Sequence, residues 1–79
     1  MYFVYFLKCK NGTIYTGITT DIDRRFKEHQ SGKGGHYTRS AGAVEIIYTE
    51  RHKNRAEALR REAQLKGWRR EKKLTLIKS

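Results

Sequence analysis

The sequence predicts an α/β domain of the α+β type: a small three-stranded antiparallel sheet flanked by helices, in the order β-β-α-β-α-α. Three observations carry this. An aromatic and β-branched run opens the chain, an Asn-Gly pair separates it from a second β-rich stretch, and two polar residues sit three positions ahead of acidic ones at the start of helical patterns.

Tyr2-Phe3-Val4-Tyr5-Phe6-Leu7 is apolar without alternation, so it reads as a strand covered on both faces and central in its sheet. Lys10-Asn11-Gly12 turns the chain, and Thr13 to Ile18 resumes β chemistry, which makes an antiparallel hairpin. The loop length matters, because side chains alternate across a strand. A two-residue Asn11-Gly12 turn pairs Lys8 with Tyr15 and puts Tyr5 and Tyr15 on opposite faces. A three-residue loop, with Gly12 left-handed in a bulge, pairs Leu7 with Tyr15 and puts both phenols on one face. The three-residue loop is the expectation.

Thr20 with Asp23 reads as the cap of a helix from Asp21 to about Gln30, ended by Ser31-Gly32-Lys33-Gly34-Gly35. Val44 to Thr49 reads as the third strand. Asn54 with Glu57 caps a helix reaching about Lys66 and stopped by Gly67, and a last short helix spans Trp68 to about Ile77. Trp68 reads as core ahead of a stacking platform.

Seventy-nine residues, 1–79, make one small domain with no room for a second recognition module. Eighteen Lys+Arg against eight Asp+Glu give a net charge of +10, so polyanions are the natural partners, nucleic acid first and an anionic membrane surface second. Cys9 has no partner cysteine for a disulfide or a structural zinc site, which fits a reducing compartment. The Tyr2–Leu7 run is too short for a signal peptide or a spanning helix, so a soluble, cytoplasmic protein is expected.

Two charged residues point inward. In the first helix Ile22, Phe26 and His29 share a stripe, with Arg25 about 60° from its centre and Arg24 on the far side. In the second, Glu62 falls within the arc of Ala56, Ala58, Leu59, Ala63 and Leu65, while Glu57 points away. An inward carboxylate needs a cation, a donor or a metal to stay ionised. A structural ion pair would satisfy Glu62. So would a reactive surface on which Tyr15, Arg25, His29 and Glu62 converge.

The ordered set resembles a known family. Phe3-Val4-Tyr5 and Tyr15-Thr16-Gly17 look like the paired tripeptides of the GIY-YIG nucleases, Arg25 follows Tyr15 by ten positions, and Glu62 lies in Glu57-Ala58-Leu59-Arg60-Arg61-Glu62 as that pattern has it. The match spans residues 2 to about 68. Phe3 stands where Gly is usual and Thr16 where Ile is usual, both at packing positions, and Ile18 replaces the Lys of the excision-repair branch. The chain is similar to the small bacterial members.

The resemblance implies a metal-dependent nuclease acting on nucleic acid, DNA ahead of RNA, with one divalent cation, Mg²⁺ or alternatively Mn²⁺, held by Glu62 alone among protein carboxylates. It implies Arg25 as the phosphate clamp, Tyr5 or Tyr15 as orienter or base of the attacking water, and Gly17 as a structural glycine allowing close approach. His29 is either a proton relay or a wall of the core. Lys33, His36, Arg39, Arg55, Lys66, Arg69 and Arg70 are expected to contact nucleic acid, the Lys and Arg runs from Arg51 to Arg61 and Lys66 to Lys73 tracking its phosphates, and His36 to Arg39 forming a lip over the substrate. The rival reading is a nucleic-acid-binding or repair-complex adaptor domain that keeps the fold without cleaving.

Overall fold

The computed structural model of the chain describes residues 1–31 and 42–78. Its elements are β1 (Tyr2–Cys9), β2 (Ile14–Thr19), α1 (Ile22–Gln30), β3 (Ala43–His52), α2 (Arg55–Lys66) and α3 (Arg70–Lys78). The order is the expected β-β-α-β-α-α, and the sheet runs β2-β1-β3 with both pairings antiparallel. β1 is central, as its unalternating sequence demands: Val4, Tyr5, Phe6 and Leu7 are all fully buried.

The hairpin has the three-residue loop. Leu7 pairs with Tyr15, Cys9 N–H donates to Thr13 O at 3.0 Å, Gly12 N–H donates to Cys9 O at 3.0 Å, and Gly12 has φ +84°. Only glycine holds that conformation cheaply, and Asn11 Oδ1 secures the loop by accepting from Thr13 N–H at 3.0 Å. The register sorts the hairpin's two faces. Val4, Phe6 and Ile14 join Ala58 and Leu65 of α2 in the buried core, with Ile18, Trp68, Leu74, Leu76 and Ile77 packed around it. Tyr5, Tyr15 and Gly17 face the other way, where His29 of α1 meets both rings.

Two boundaries differ from expectation for local reasons. Asp21, not Thr20, caps α1: its carboxylate accepts from Arg24 N–H at 3.0 Å, while Thr19 Oγ1 takes the Asp21 N–H at 3.1 Å and bends the chain out of β2. β3 runs on past Thr49 to His52, because its backbone goes on pairing with β1, Val4 opposite Glu50 and Tyr2 opposite His52. The caps of α2 are those expected, with Asn54 Oδ1 accepting from Glu57 N–H at 2.9 Å and Gly67 closing the helix.

The apolar arc read for α2 is narrower than expected: Ala58 and Leu65 are buried, whereas Ala56 and Ala63 are exposed. Alanine is small enough to sit on either face without penalty, so it reports helix orientation poorly. The last helix begins at Arg70 rather than Trp68, which lies in the turn with its N–H donating to Leu65 O at 3.1 Å. Two cations fasten α3 to the hairpin: Arg70 Nε donates to Gly12 O at 2.8 Å and Lys73 Nζ to Ile14 O at 3.1 Å. β2 is an edge strand, and Lys73 therefore satisfies a carbonyl that no neighbouring strand reaches. Among the described residues no helix is long and apolar enough to cross a membrane.

Candidate active site

The site is built around one phenol. Tyr5, fully buried in the central strand, has its hydroxyl 2.8 Å from His29 Nε2, and Arg25 is near enough to oppose the rise in its pKa. Arg25 and His29 reach it together because they lie one turn apart on α1. Tyr15 completes the ring cluster: centroids stand 6.3 Å apart for Tyr5 and Tyr15, 5.9 Å for Tyr5 and His29, and 5.4 Å for Tyr15 and His29. The three-residue hairpin loop is what allows this, since a slip of one residue would send Tyr15 to the opposite face.

Gly17 is the cross-strand partner of Tyr5, and the phenol ring lies across it. A Cβ on Gly17 would stand 2.9 Å from Tyr5 Cε1 and would overlap Cζ and Oη as well. The glycine thus makes room for a side chain, not for close backbone approach, and its own φ lies outside the left-handed region.

Burial sets the protonation states. It pushes the Tyr5 phenol up to about 12; the Arg25 hydrogen bond opposes this, and Tyr15 and Glu62 lie near enough to add to it. Burial, helped by the Arg25 charge, also lowers the His29 pKa, with Glu28 opposing. For Arg25, the cost of burial is outweighed by its bonds to Tyr5 and to Glu28, whose Oε1 is 3.2 Å from Nη1, and its pKa rises. At neutral pH the centre therefore holds a protonated phenol, a neutral imidazole and a fixed guanidinium.

Glu62 lies inward on α2, its side chain 14% exposed, with Lys66 Nζ 3.4 Å from Oε2 at the outer end of the site. Its charge acts to raise the Tyr5 pKa, the smallest of the influences on that phenol. Tyr5, Tyr15 and His29 are brought together from two strands and one helix, with Arg25 one turn before His29, and Glu62 stands on α2 near enough for its charge to be felt by Tyr5. Among the described residues no three His, Cys, Asp or Glu side chains are grouped to hold a metal.

The surrounding surface is positive. Arg24, Arg25 and Arg55 line an open cleft of about 340 Å³ with Tyr2, Ile18, Thr19, Thr20 and Glu28. Arg24 is solvent-exposed as its helix position requires, but it shares this cleft with Arg25 instead of lying on a remote face. Lys66 is exposed in the last turn of α2 and Arg69 just beyond it, and Arg70 is exposed with Nε committed to Gly12 O. Lys33, His36 and Arg39, with the lip His36 to Arg39, lie outside the described residues.

Several interactions escaped the sequence. Arg61, in a run read as tracking phosphate, forks onto Glu50 instead, with Nε 2.9 Å from Oε1 and Nη2 2.9 Å from Oε2. The two residues are eleven apart on different elements, and only the tertiary fold joins them. That fork, with bonds from Tyr48 and His52, outweighs the cost of burial and holds the Glu50 carboxyl at about 2. Lys73, read as solvated or phosphate-tracking, is 7% exposed and stands over the Phe6 ring. Glu28 did have a visible signal in its i, i+3 spacing from Arg25.

Comparison with known proteins agrees with this geometry. The model of the GIY-YIG catalytic domain matches residues 1–75. UPF0213 proteins of Staphylococcus aureus strains Mu3 and N315 are each 42% identical over 77 residues, which covers 98% of this chain and 94% of theirs. The solution NMR structure of the UPF0213 protein BH0048 from Bacillus halodurans is 46% identical, with a TM-score of 0.61 over 99% of this chain and 84% of that one. With its two tripeptide strands, Arg25 and Glu62 set in one sheet-and-helix frame, the chain belongs to the GIY-YIG catalytic-domain family, a nuclease superfamily, among its UPF0213 members.

Proposed function

We propose that the chain is a metal-dependent nuclease that hydrolyses phosphodiester bonds of nucleic acid, DNA ahead of RNA. The observation that carries this reading is the convergence on Tyr5: one buried phenol bonded to His29 and packed near Tyr15, with Arg25 and Glu62 close enough to act on its charge. A domain that only bound nucleic acid would gain nothing from an inward carboxylate repelling phosphate.

The donor set suits one hard cation. Glu62 is a largely covered carboxylate paired with Lys66, and Mg²⁺, for which Mn²⁺ can substitute, is commonly held by one or two carboxylates with water and substrate phosphate completing its octahedron. Such an ion, when bound, supplies Lewis-acid stabilisation of the phosphoryl oxygens and a more acidic water. Arg25 pairs its planar fork with the scissile phosphate, already oriented by Tyr5 and Glu28. Tyr5 titrates near 12, so removing its proton at pH 7 would cost about 7 kcal/mol, and it acts by positioning Arg25 and His29. Tyr15, half-buried where Tyr5 is fully buried, is the phenol that orients the attacking water.

The test is incubation with Mg²⁺ or Mn²⁺ and a panel of single-stranded, duplex, flap and branched substrates, beside Glu62→Ala. Cleavage that is lost in Glu62→Ala while binding persists or tightens supports the reading. Equal cleavage by both proteins overturns it.

A further inference from the structure

A second cleft, of about 490 Å³, opens where α3 meets the β1–β2 hairpin, lined by Asn11, Gly12, Thr13, Ile14, Trp68, Arg70 and Lys73. Its volume lies in the range of about 300–1,000 Å³ that small-molecule sites occupy. Its chemistry is that of a nucleotide: an indole on one wall, a guanidinium and an ammonium on another, and main-chain polar groups of the hairpin loop between them. We propose that this cleft binds one unpaired nucleotide of the substrate, its base stacked on Trp68 and its phosphate held by Arg70 and Lys73. The proposal rests on the nuclease reading above and deepens it, because it names the substrate as nucleic acid with an unstacked base.

The cations are held in place by the fold. Arg70 Nε and Lys73 Nζ, three residues apart on α3, are anchored to the hairpin at Gly12 O in the loop and Ile14 O at the start of β2. Each spends one donor there, and a guanidinium has five and an ammonium three, so an anion can be bound without giving up the anchor. Trp68 packs one side against the core and keeps part of its surface in the cleft. Lys72 Nζ stands 4.4 Å from its ring centroid and Arg61 Cζ 5.6 Å. The Lys72 side chain is exposed, so an incoming base can displace it from the indole while its ammonium moves to the neighbouring phosphate.

The cleft and the ring cluster share strand β2: Ile14 lines the cleft, and Tyr15, the next residue, turns its ring to the opposite face. A base inside a duplex has both faces covered by its neighbours, so Trp68 can be reached by a single strand, a flap or an extruded base.

Trp68 is the chain's one tryptophan, so selectively excited indole emission reports this cleft alone. The wild-type protein, with divalent cations chelated so that nothing is cut, is titrated with fluorophore-labelled oligothymidylate and with a blunt duplex of equal length. Anisotropy follows binding and indole emission follows stacking. Oligothymidylate should quench Trp68 in parallel with its binding, and the duplex should bind with little quenching. Trp68→Leu should weaken oligothymidylate by about 5- to 150-fold and the duplex by less than about twofold, with Trp68→Phe between. Binding of oligothymidylate without a change in indole emission, or an equal loss of both ligands in Trp68→Leu, overturns the proposal. Either result leaves duplex binding and Glu62-dependent cleavage to stand on their own. Failure to bind either probe overturns the nuclease reading with it. If Trp68→Leu does not fold, the quenching of the wild-type protein decides.

Discussion

Gly17→Ala should injure this protein more than any other single added methyl group on the hairpin. In an ordinary strand the change helps, since alanine loses less backbone entropy than glycine, by about 0.5–1 kcal/mol. Here the new Cβ would lie 2.9 Å from Tyr5 Cε1, half an ångström inside the 3.4 Å at which ordinary contact begins, and it would press harder still on Cζ and Oη. Tyr5 is fully buried, so the ring has no open space to retreat into. Overpacking of this kind costs about 1–3 kcal/mol, and with about 4–8 °C per kcal/mol for a domain of this size the melting temperature should fall by about 5–20 °C. Movement of the phenol would also break its 2.8 Å bond to His29 and release Arg25. An error of about 1 Å in such a group can cost about 100-fold in rate. Thermal melting and single-turnover cleavage measure the two effects, and a double-mutant cycle identifies their origin. In Tyr5→Leu the obstruction is gone, so adding Gly17→Ala should be neutral or stabilising. The same penalty in both backgrounds would refute the idea that Gly17 exists to admit Tyr5.

Thr16→Val should stabilise the fold by about 1 kcal/mol, because Thr16 is 2% exposed and its Oγ1 has no hydrogen-bond partner among the described residues; an unchanged or lower melting temperature would count against this. Glu50 has its folded pKa depressed from 4.5 to about 2, so its contribution is present above pH 4.5 and is lost as pH falls towards 2. That gap corresponds to about 3 kcal/mol, and Glu50→Gln should lower stability at pH 7 by that order and flatten the acid limb of the stability curve, as urea unfolding at several pH values would show. His29 acts in the same direction, its lowered pKa making the folded state lose stability as pH falls below about 6.5. Arg25→Ala should reduce cleavage by about 100-fold or more and Arg24→Ala by less than about tenfold, since only Arg25 holds Tyr5. Equal damage in a cleavage assay would show that the shared cleft, and not the Tyr5 contact, governs the arginines.

Much of the fold was legible because its signals are local. The left-handed requirement at Gly12 follows from the hairpin's own arithmetic, Asn54 with Glu57 announces α2, and the unbroken run from Val4 to Leu7 can only be a central strand. The site residues were legible for a different reason: Arg25 and Glu62 are charges on faces that should be apolar, and each conflict marks a place where something other than packing decided the residue. What stayed hidden depends on contacts between distant elements. No spacing joins Glu50 to Arg61 or Lys73 to Ile14, and so two cations read as solvated or tracking phosphate are anchored within the protein. Thr20 and Asp21 are both good caps, and the choice between them is made by Thr19, whose hydroxyl turns the chain one residue later.

The two faces of the hairpin divide the work, and this explains which departures from the family pattern are harmless. Tyr5, Tyr15 and Gly17 all point towards α1, and each is tied to another by a contact that leaves little freedom to change. Thr16 points the opposite way, with Val4, Phe6 and Ile14 beneath α2, so a change there alters packing and leaves the phenols where they are. Its cost appears as stability, through an orphaned hydroxyl. A domain this small has about 3–5 kcal/mol to spare, and a buried His29, a buried Lys73 and a half-covered Glu62 all draw on it. The ties that keep it folded lie beside the candidate site. Lys73 closes the edge of β2 next to Tyr15, Arg70 holds the loop that sets the tyrosine register, and the Glu50–Arg61 fork fixes α2 on the sheet one residue before Glu62. Weakening any of these should loosen the site before it unfolds the chain.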